Sequence, residues 1–242
     1  MPYIYYSDQP LRYSRDYVIH EITSFYAFLT NLYIPSSALR FPPAGGWLSI
    51  DAQSYSFLKK NETVIDLMRH LPYITREESQ GAPEIYPLTA AVDYEGEQMR
   101  RAMRFAEERG QEVDLFAIEP DAGEGLTTIP ANMLVLASET SGADGFWFLL
   151  NTDRGTMTLY DGGIGWKRKG TVENEASESL LFVQDERRGE IGDVEEEATD
   201  MTCLQPVEEG ANDGEHWRDH ATWRVKEFFD MLKEQYRKLE LV

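Results

Sequence analysis

The feature that most constrains the fold is an acidic stretch in the second half of the chain. Residues 172–220 contain 16 acidic and three basic side chains, a net charge of −13. A segment this acidic, with few large apolar residues, buries too little apolar surface to offset the conformational entropy that it would lose on ordering. We therefore expect residues 172–215 to form a solvated, flexible insert with one apolar anchor, Leu180–Val183. We expect limited proteolysis to cut first between Gly189 and Gly214.

This insert divides the chain into a main domain and a returning helix. We interpret residues 1–171 as the main α+β domain and residues 216–242 as a C-terminal helix that belongs to it. The chain has 242 residues, of which 42% are hydrophobic and 12% are aromatic. That is enough apolar material for one sizeable core.

Apolar spacing and cap residues predict five helices. Ser14 and Asn61 precede the first and third of them and can cap a helix N-terminus, and Gly110 follows the fourth in the usual C-cap position. An apolar stripe through Phe228 and Leu232 makes the last helix amphipathic. The predicted helices cover residues 14–34, 51–60, 61–71, 97–109 and 219–239.

The middle of the chain predicts strands. Pro130 opens an apolar run, and two further runs of β-branched and aromatic residues are joined by a short turn at Asp153 and Gly155, which is a hairpin signal. Residues 88–94 and 113–119, on either side of the fourth helix, are predicted as strands too. The sequence therefore predicts an α+β fold: N-terminal helices, a largely antiparallel central sheet, and a C-terminal amphipathic helix packed on it.

The formal net charge of −20 argues against several classes of function. Binding nucleic acid without sequence preference, or docking on an anionic membrane, requires a basic surface. No apolar run approaches the roughly 18 residues of a membrane span, and the N-terminus does not resemble a secretory signal. Because Cys203 is the only cysteine, no intrachain disulfide can form. We expect a cytoplasmic protein with no nucleic-acid or membrane partner.

No motif indicates a cofactor. Gly45-Gly46 is not followed by the Lys-Ser/Thr of a P-loop, and Gly162–Gly165 leads into the basic run Trp166–Lys169 instead of a dinucleotide-binding helix. Cys203 lies among acidic residues, which disfavour the reactive thiolate. We therefore expect no bound cofactor.

His216 and His220 are the candidate metal ligands. They are four residues apart, so in a helix both imidazoles lie on one face and can hold a metal together. Trp217 stands where zinc proteases of the His-Glu pattern have their glutamate. The alternative interpretation is a polar first turn of the C-terminal helix, and we assign no metal site.

His20 and Glu21 are the candidate catalytic residues. They lie in the first predicted helix, beside its apolar face, where a buried histidine oriented by a carboxylate can transfer protons. The alternative is a boundary histidine whose hydrogen bonds are satisfied. Abundant tyrosine and tryptophan leave open a small cofactor-independent enzyme, of isomerase or cyclase type, acting on a hydrophobic metabolite in an aromatic-lined pocket.

The stretch 129–161, IPANMLVLASETSGADGFWFLLNTDRGTMTLYD, resembles the core of the SUKH superfamily, the relatives of the yeast cell-wall-synthesis regulator of the Smi/Knr type. In that family a proline opens a strand, and a later strand that ends in Asp is followed by a glycine turn and another strand. Pro130, Asp153 and Gly155 match these positions. The closing segment FFDMLKEQYRKLELV is similar to the C-terminal helix of fungal members, in which paired aromatic residues precede a basic tail that ends in leucine. The segment NETVIDLMRHLPYI resembles uncharacterised fungal proteins of this type.

The resemblance implies a non-catalytic protein-interaction role. The family includes a signalling regulator in fungi and immunity proteins that neutralise toxins in bacteria. The acidic surface would suit a basic protein partner through electrostatic steering. We therefore expect a protein partner of basic character, and we keep a small hydrophobic ligand as the alternative.

Overall fold

The structure, a computed structural model, describes residues 13–75, 83–113, 118–120, 129–140, 145–160 and 222–239. Its α-helices are α1 (Arg15–Leu32), α2 (Glu62–His70), α3 (Glu97–Arg109) and α4 (Val225–Leu239). Two short 3-10 helices are Ser36–Ala38 and Ser56–Leu58. The strands are β1 (Leu39–Arg40), β2 (Tyr73–Ile74), β3 (Glu84–Tyr86), β4 (Thr89–Ala91), β5 (Met133–Glu139), β6 (Trp147–Asn151), β7 (Thr156–Tyr160) and β8 (Thr222–Arg224).

The strands form two antiparallel sheets. β1 pairs with β2, and the other six make one sheet in the order β3-β4-β5-β6-β7-β8. Every neighbouring pair in the larger sheet is antiparallel. Sequential strands are neighbours, so the sheet is a simple meander whose last strand leads directly into α4. This confirms the predicted α+β class.

The larger sheet carries a buried apolar cluster on each of its faces. On one face, Phe148 of β6 packs edge-on against Phe228 of α4, with ring centroids 5.1 Å apart. Phe25 of α1 lies 5.1 Å from Phe229 of α4, so these two helices share the core on that face. The other face carries a second buried cluster, made of Ile129, Met133, Val135, Trp147, Leu149 and Tyr160.

Three local end signals act as predicted. The Ser14 hydroxyl accepts a hydrogen bond from Tyr17 N, and Asn61 Oδ1 accepts one from Val64 N at 2.9 Å. α3 ends at Gly110, whose positive φ of 62° is the left-handed conformation expected there. Capping satisfies backbone groups that have no partner inside the helix, so these residues set the helix ends.

Residues 51–60 do not form the predicted α-helix. The Asp51 carboxylate accepts hydrogen bonds from Gln53 N and Ser54 N, both at 2.8 Å, and holds the chain in turns. Only Ser56–Leu58 is helical, and Lys59 ends it in the left-handed region. A short polar side chain that binds nearby backbone groups competes with helix formation.

Three further predicted elements differ from the structure: the last helix and the two strands on either side of α3. The helix predicted over 219–239 begins only at Val225, because Thr222–Arg224 pairs with β7 and buries Trp223 in the core. Of the strand predicted over 88–94, only Thr89–Ala91 forms. The described residues of 113–119, which are Val113, Ile118 and Glu119, are not in a strand.

Several predictions fall outside the described residues. They concern the acidic insert 172–215, its Leu180–Val183 anchor, Cys203 and the glycine run Gly162–Gly165. None of the helices in the described part of the chain combines the length and the apolar character that a membrane crossing requires.

Candidate functional site

Four charged side chains meet where β1, β2 and the turn before α3 come together. We call Arg40, Asp93, Glu95 and Arg100 the Arg40 cluster. Arg40 Nη1 lies 2.8 Å from Glu95 Oε2, and Arg100 Nη1 lies 2.7 Å from Glu95 Oε1. One carboxylate therefore bridges two guanidinium groups that come from distant parts of the chain.

Short elements bring these residues together. Arg40 is opposite Tyr73 in the β1–β2 pair, and Thr75 N donates to Ala38 O at 2.8 Å, which continues the pairing. The turn after β4 carries both carboxylates, and the first turn of α3 supplies Arg100. Backbone hydrogen bonds of the β1–β2 pair thus fix Arg40 in position beside the turn that carries Asp93 and Glu95.

Asp93 has an unusual acidity for an aspartate. Burial raises the pKa of this carboxyl to about 6, with a smaller contribution from the nearby Glu95, while Arg40 and Thr75 act in the opposite direction. A carboxyl that titrates close to neutral pH inside a cluster of charges is typical of functional sites.

Four buried tyrosines lie around the inner side of the cluster: Tyr26, Tyr55, Tyr73 and Tyr94. Burial raises the pKa of all four, so their hydroxyls stay neutral at physiological pH. The hydroxyls of Tyr55, Tyr73 and Tyr94 donate to the backbone carbonyls of Tyr94, Met68 and Val135, respectively. Since these donors are already used, the three side chains act in packing.

Two exposed apolar side chains are next in sequence to Arg40 and to the ring that Arg40 stacks on. The Arg40 guanidinium lies over the Trp47 ring, 5.0 Å from its centroid. The chain neighbours of these two residues are Phe41, which is 58% exposed, and Leu48, which is 77% exposed. We call Arg40, Phe41, Trp47 and Leu48 the Arg40–Trp47 surface.

The loop that presents this surface is held at several points. Trp47 Nε1 donates to Leu71 O at 2.8 Å, and Trp47 N donates to Arg69 O at the same distance. Gly46 has a φ of +76°, and a Cβ there would come within 2.8 Å of Arg69 O. The loop is therefore packed against the end of α2, and its two exposed apolar side chains project from a fixed backbone.

The structure places the candidate catalytic residues apart from this site. His20 is exposed on α1, whereas Glu21 beside it is buried. Within the described part of the chain, neither side chain makes a hydrogen bond or ion pair, so no carboxylate orients His20. The candidate metal ligands His216 and His220 lie outside the described residues. Among the residues that are described, no group of three or more His, Cys, Asp or Glu side chains could hold a metal ion.

Sequence reasoning missed the residues of the Arg40 cluster. The signal nearest to them is Val-Asp-Tyr-Glu-Gly at residues 92–96, where two acids flank an aromatic residue just before a helix. Nothing in that motif indicates that Arg40 is the partner, because strands of two residues leave no periodic pattern.

The comparisons with known proteins leave the chain without an assigned family. No protein-family model matches it, and no curated protein and no solved structure gives a significant match. Membership of the SUKH superfamily therefore stays a prediction.

Proposed function

We propose that this chain is a non-catalytic interaction protein, of regulatory or immunity type, that binds a protein partner through the Arg40–Trp47 surface. The observation that carries the proposal is the exposure of Phe41 and Leu48, the chain neighbours of the stacked Arg40 and Trp47. Burying both side chains in a complex would stabilise the complex, by up to about 1.5–3 kcal/mol for each side chain.

The composition of this surface supports a protein partner. Protein interfaces are enriched in aromatic residues and arginine, and their strongest contacts come from such residues at the centre of a rigid patch. Because the loop is already fixed by Trp47 and Gly46, little conformational entropy would be lost when a partner binds.

The same proposal includes membership of the SUKH superfamily and a partner with a basic surface. The segment 129–161 resembles SUKH proteins, for which an interaction role is expected, and the net charge of −20 favours encounter with a basic partner. We place this interaction in the cytoplasm, as expected for a chain with one cysteine.

Site-specific photo-cross-linking in the native host tests the proposal. A photoreactive phenylalanine analogue replaces Phe41 in one variant and Leu48 in another. The matched control replaces Phe105, an aromatic residue of α3 that is 51% exposed. We expect positions 41 and 48 to capture the same protein, and position 105 not to capture it.

A competition experiment then tests whether Phe41 and Leu48 themselves bind the captured protein. An excess of the unlabelled wild-type protein should abolish capture at position 41, whereas the Phe41→Ser/Leu48→Ser variant should not compete. Capture of unrelated proteins at the two positions, or equal competition by the variant, would contradict the proposal.

A second candidate function is the small cofactor-independent enzyme, and the observation that favours it is the raised pKa of Asp93. A carboxyl with a pKa of about 6 can donate and accept protons near neutral pH. The test is incubation of the protein with a host metabolite extract, followed by mass spectrometry. Consumption of a hydrophobic metabolite by the wild-type protein but not by Asp93→Asn would support catalysis, and identical extracts would exclude it.

A further inference from the structure

The six-stranded sheet has a second apolar face that none of the described helices covers. Its buried cluster consists of strand residues together with Ile129 and Val92, and no described helix contributes a side chain to it. An antiparallel sheet that faces water on one side has polar residues at alternate positions there. Here the alternate positions of the central strands hold Met133, Val135, Trp147 and Leu149 instead. Such a face needs a cover.

Two buried hydrogen-bond donors on this face indicate that the segment covering it supplies acceptors. Trp147 is 7% exposed, and its Nε1 has no hydrogen-bond acceptor in the described structure. Arg224 Nε is buried and has no acceptor there either. Arg224 lies opposite Thr156 and points to the second face, because its neighbour Trp223 packs into the helix-covered core. Buried donors are nearly always paired in folded proteins, so the cover is expected to supply oxygen atoms.

We propose that the chain's own acidic stretch covers this face, with Leu180–Val183 as the segment that docks on it. β7 ends at Tyr160, a member of the second cluster, and the chain returns at Thr222 in the neighbouring strand. The connecting residues 161–221 therefore leave and return at one edge of the face.

The sequence of that connection fits the requirement. Leu180–Val183 is its only run of four consecutive large apolar residues. Glu178 and Asp185 stand on either side of the run in the sequence, and their carboxylates are the kind of acceptor that Trp147 Nε1 and Arg224 Nε lack among the described residues. The segment thus has apolar residues in its middle, which suit the apolar cluster on the sheet. It has acceptors at its two ends, which suit the two buried donors that have no partner in the described part of the chain.

Cross-linking within the full chain tests the proposal directly. A photoreactive phenylalanine analogue replaces Phe182, with Ile191 as the control position in the same acidic stretch. We expect position 182 to cross-link within its own chain to peptides from residues 133–160, and position 191 to do so much less. Cross-links to other regions, cross-links to a second copy, or equal yields from both positions would overturn the proposal. Docking by residues 114–117 instead, detected with the analogue at Phe116, would also overturn it.

Solvent access to Trp147 gives a second readout. Acrylamide quenching is measured for each protein, and the contribution of Trp147 is obtained by difference from its Trp147→Phe counterpart. We expect Leu181→Ser/Phe182→Ser to raise quenching of Trp147 about twofold or more by opening this face locally. The matched variant Ile191→Ser/Val194→Ser should leave it unchanged. Unaltered quenching in the first variant would count against docking. The outcome is independent of the proposed function, which uses different residues.

Discussion

Lys60 Nζ lies 2.7 Å from Glu119 Oε1, and the two side chains are only 1% and 2% exposed. Both also bind the backbone of Ile129: Lys60 donates to its carbonyl at 3.1 Å, and Glu119 accepts from its N–H at 3.2 Å. Burial lowers the pKa of Lys60, while the charge of Glu119 opposes that change. The pair therefore holds the backbone of Ile129 in place, just before β5 begins.

Glu119→Gln should be strongly destabilising, because it leaves the Lys60 charge buried without an opposite charge. Removing one partner of a buried pair costs about 3–5 kcal/mol. Urea unfolding measures the change in free energy, and adding Lys60→Met to Glu119→Gln should recover much of the loss. The control is Asp66→Asn, which breaks the exposed pair with Arg15 and should cost about 0–1 kcal/mol. Equal costs for the two single variants would show that water reaches the Lys60–Glu119 pair.

Asp93 predicts a pH dependence of stability. Its pKa is about 6 in the folded protein against 3.8 for an ordinary aspartate, so the folded state binds the proton more tightly. The stabilising contribution of the protonated carboxyl is complete below about pH 4 and is lost as the pH rises to about 6. Above this range Asp93→Asn should be more stable than the wild-type protein by up to about 3 kcal/mol.

Unfolding in urea between pH 4 and pH 8 checks this prediction. The control is Glu97→Gln, because Glu97 is exposed and its pKa is lowered to about 2 by Arg104, Arg100 and Arg101. That variant should gain no stability at high pH. If Asp93→Asn parallels the wild-type curve at every pH, the carboxyl is better solvated than its position indicates.

Gly145→Ala should destabilise the sheet, because an added Cβ would overlap the carbonyl oxygen of Leu88 and the side chain of Glu139. Overpacking of this kind typically costs about 1–3 kcal/mol. Gly45→Ala is the matched control, since a Cβ there meets no atom within 4 Å. Thermal unfolding should show a clear loss for the first variant and little change for the second. Similar melting temperatures would mean that the chain next to Gly145 moves aside.

Features that depend on neighbouring residues were predictable from the sequence. Ser14 and Asn61 cap helices with their own side chains, and the turn at Gly155 joins two runs of strand-forming residues, so each signal is complete within a few positions. The strand at Thr222 was missed because the apolar stripe of the helix after it extends by chance into the preceding residues. Tertiary pairing with β7 decided the boundary.

The Arg40 cluster and the Lys60–Glu119 pair could not be predicted in this way. Charged side chains in a strongly acidic chain are expected to be solvated, and no local pattern distinguishes Glu119 from the exposed acids around α3. Their burial results from partners that are distant in sequence. Arg40 meets Glu95 only because β1 and β2, each two residues long, pair beside the turn that precedes α3.

Two substitutions in the Arg40 cluster should shift the titration of Asp93 in opposite directions. Glu95 raises the pKa of Asp93 because the two carboxylates repel each other, whereas Arg40 lowers it by attraction. Glu95→Gln should therefore bring the pKa of Asp93 below about 6, and Arg40→Gln should raise it further. Carboxyl carbon shifts followed by NMR across the pH range measure both values. Asp66→Asn, in a separate ion pair with Arg15, should leave the titration unchanged. Shifts of the same sign in the two cluster variants would show that a change in burial, and not the charge of these neighbours, controls the acidity of Asp93.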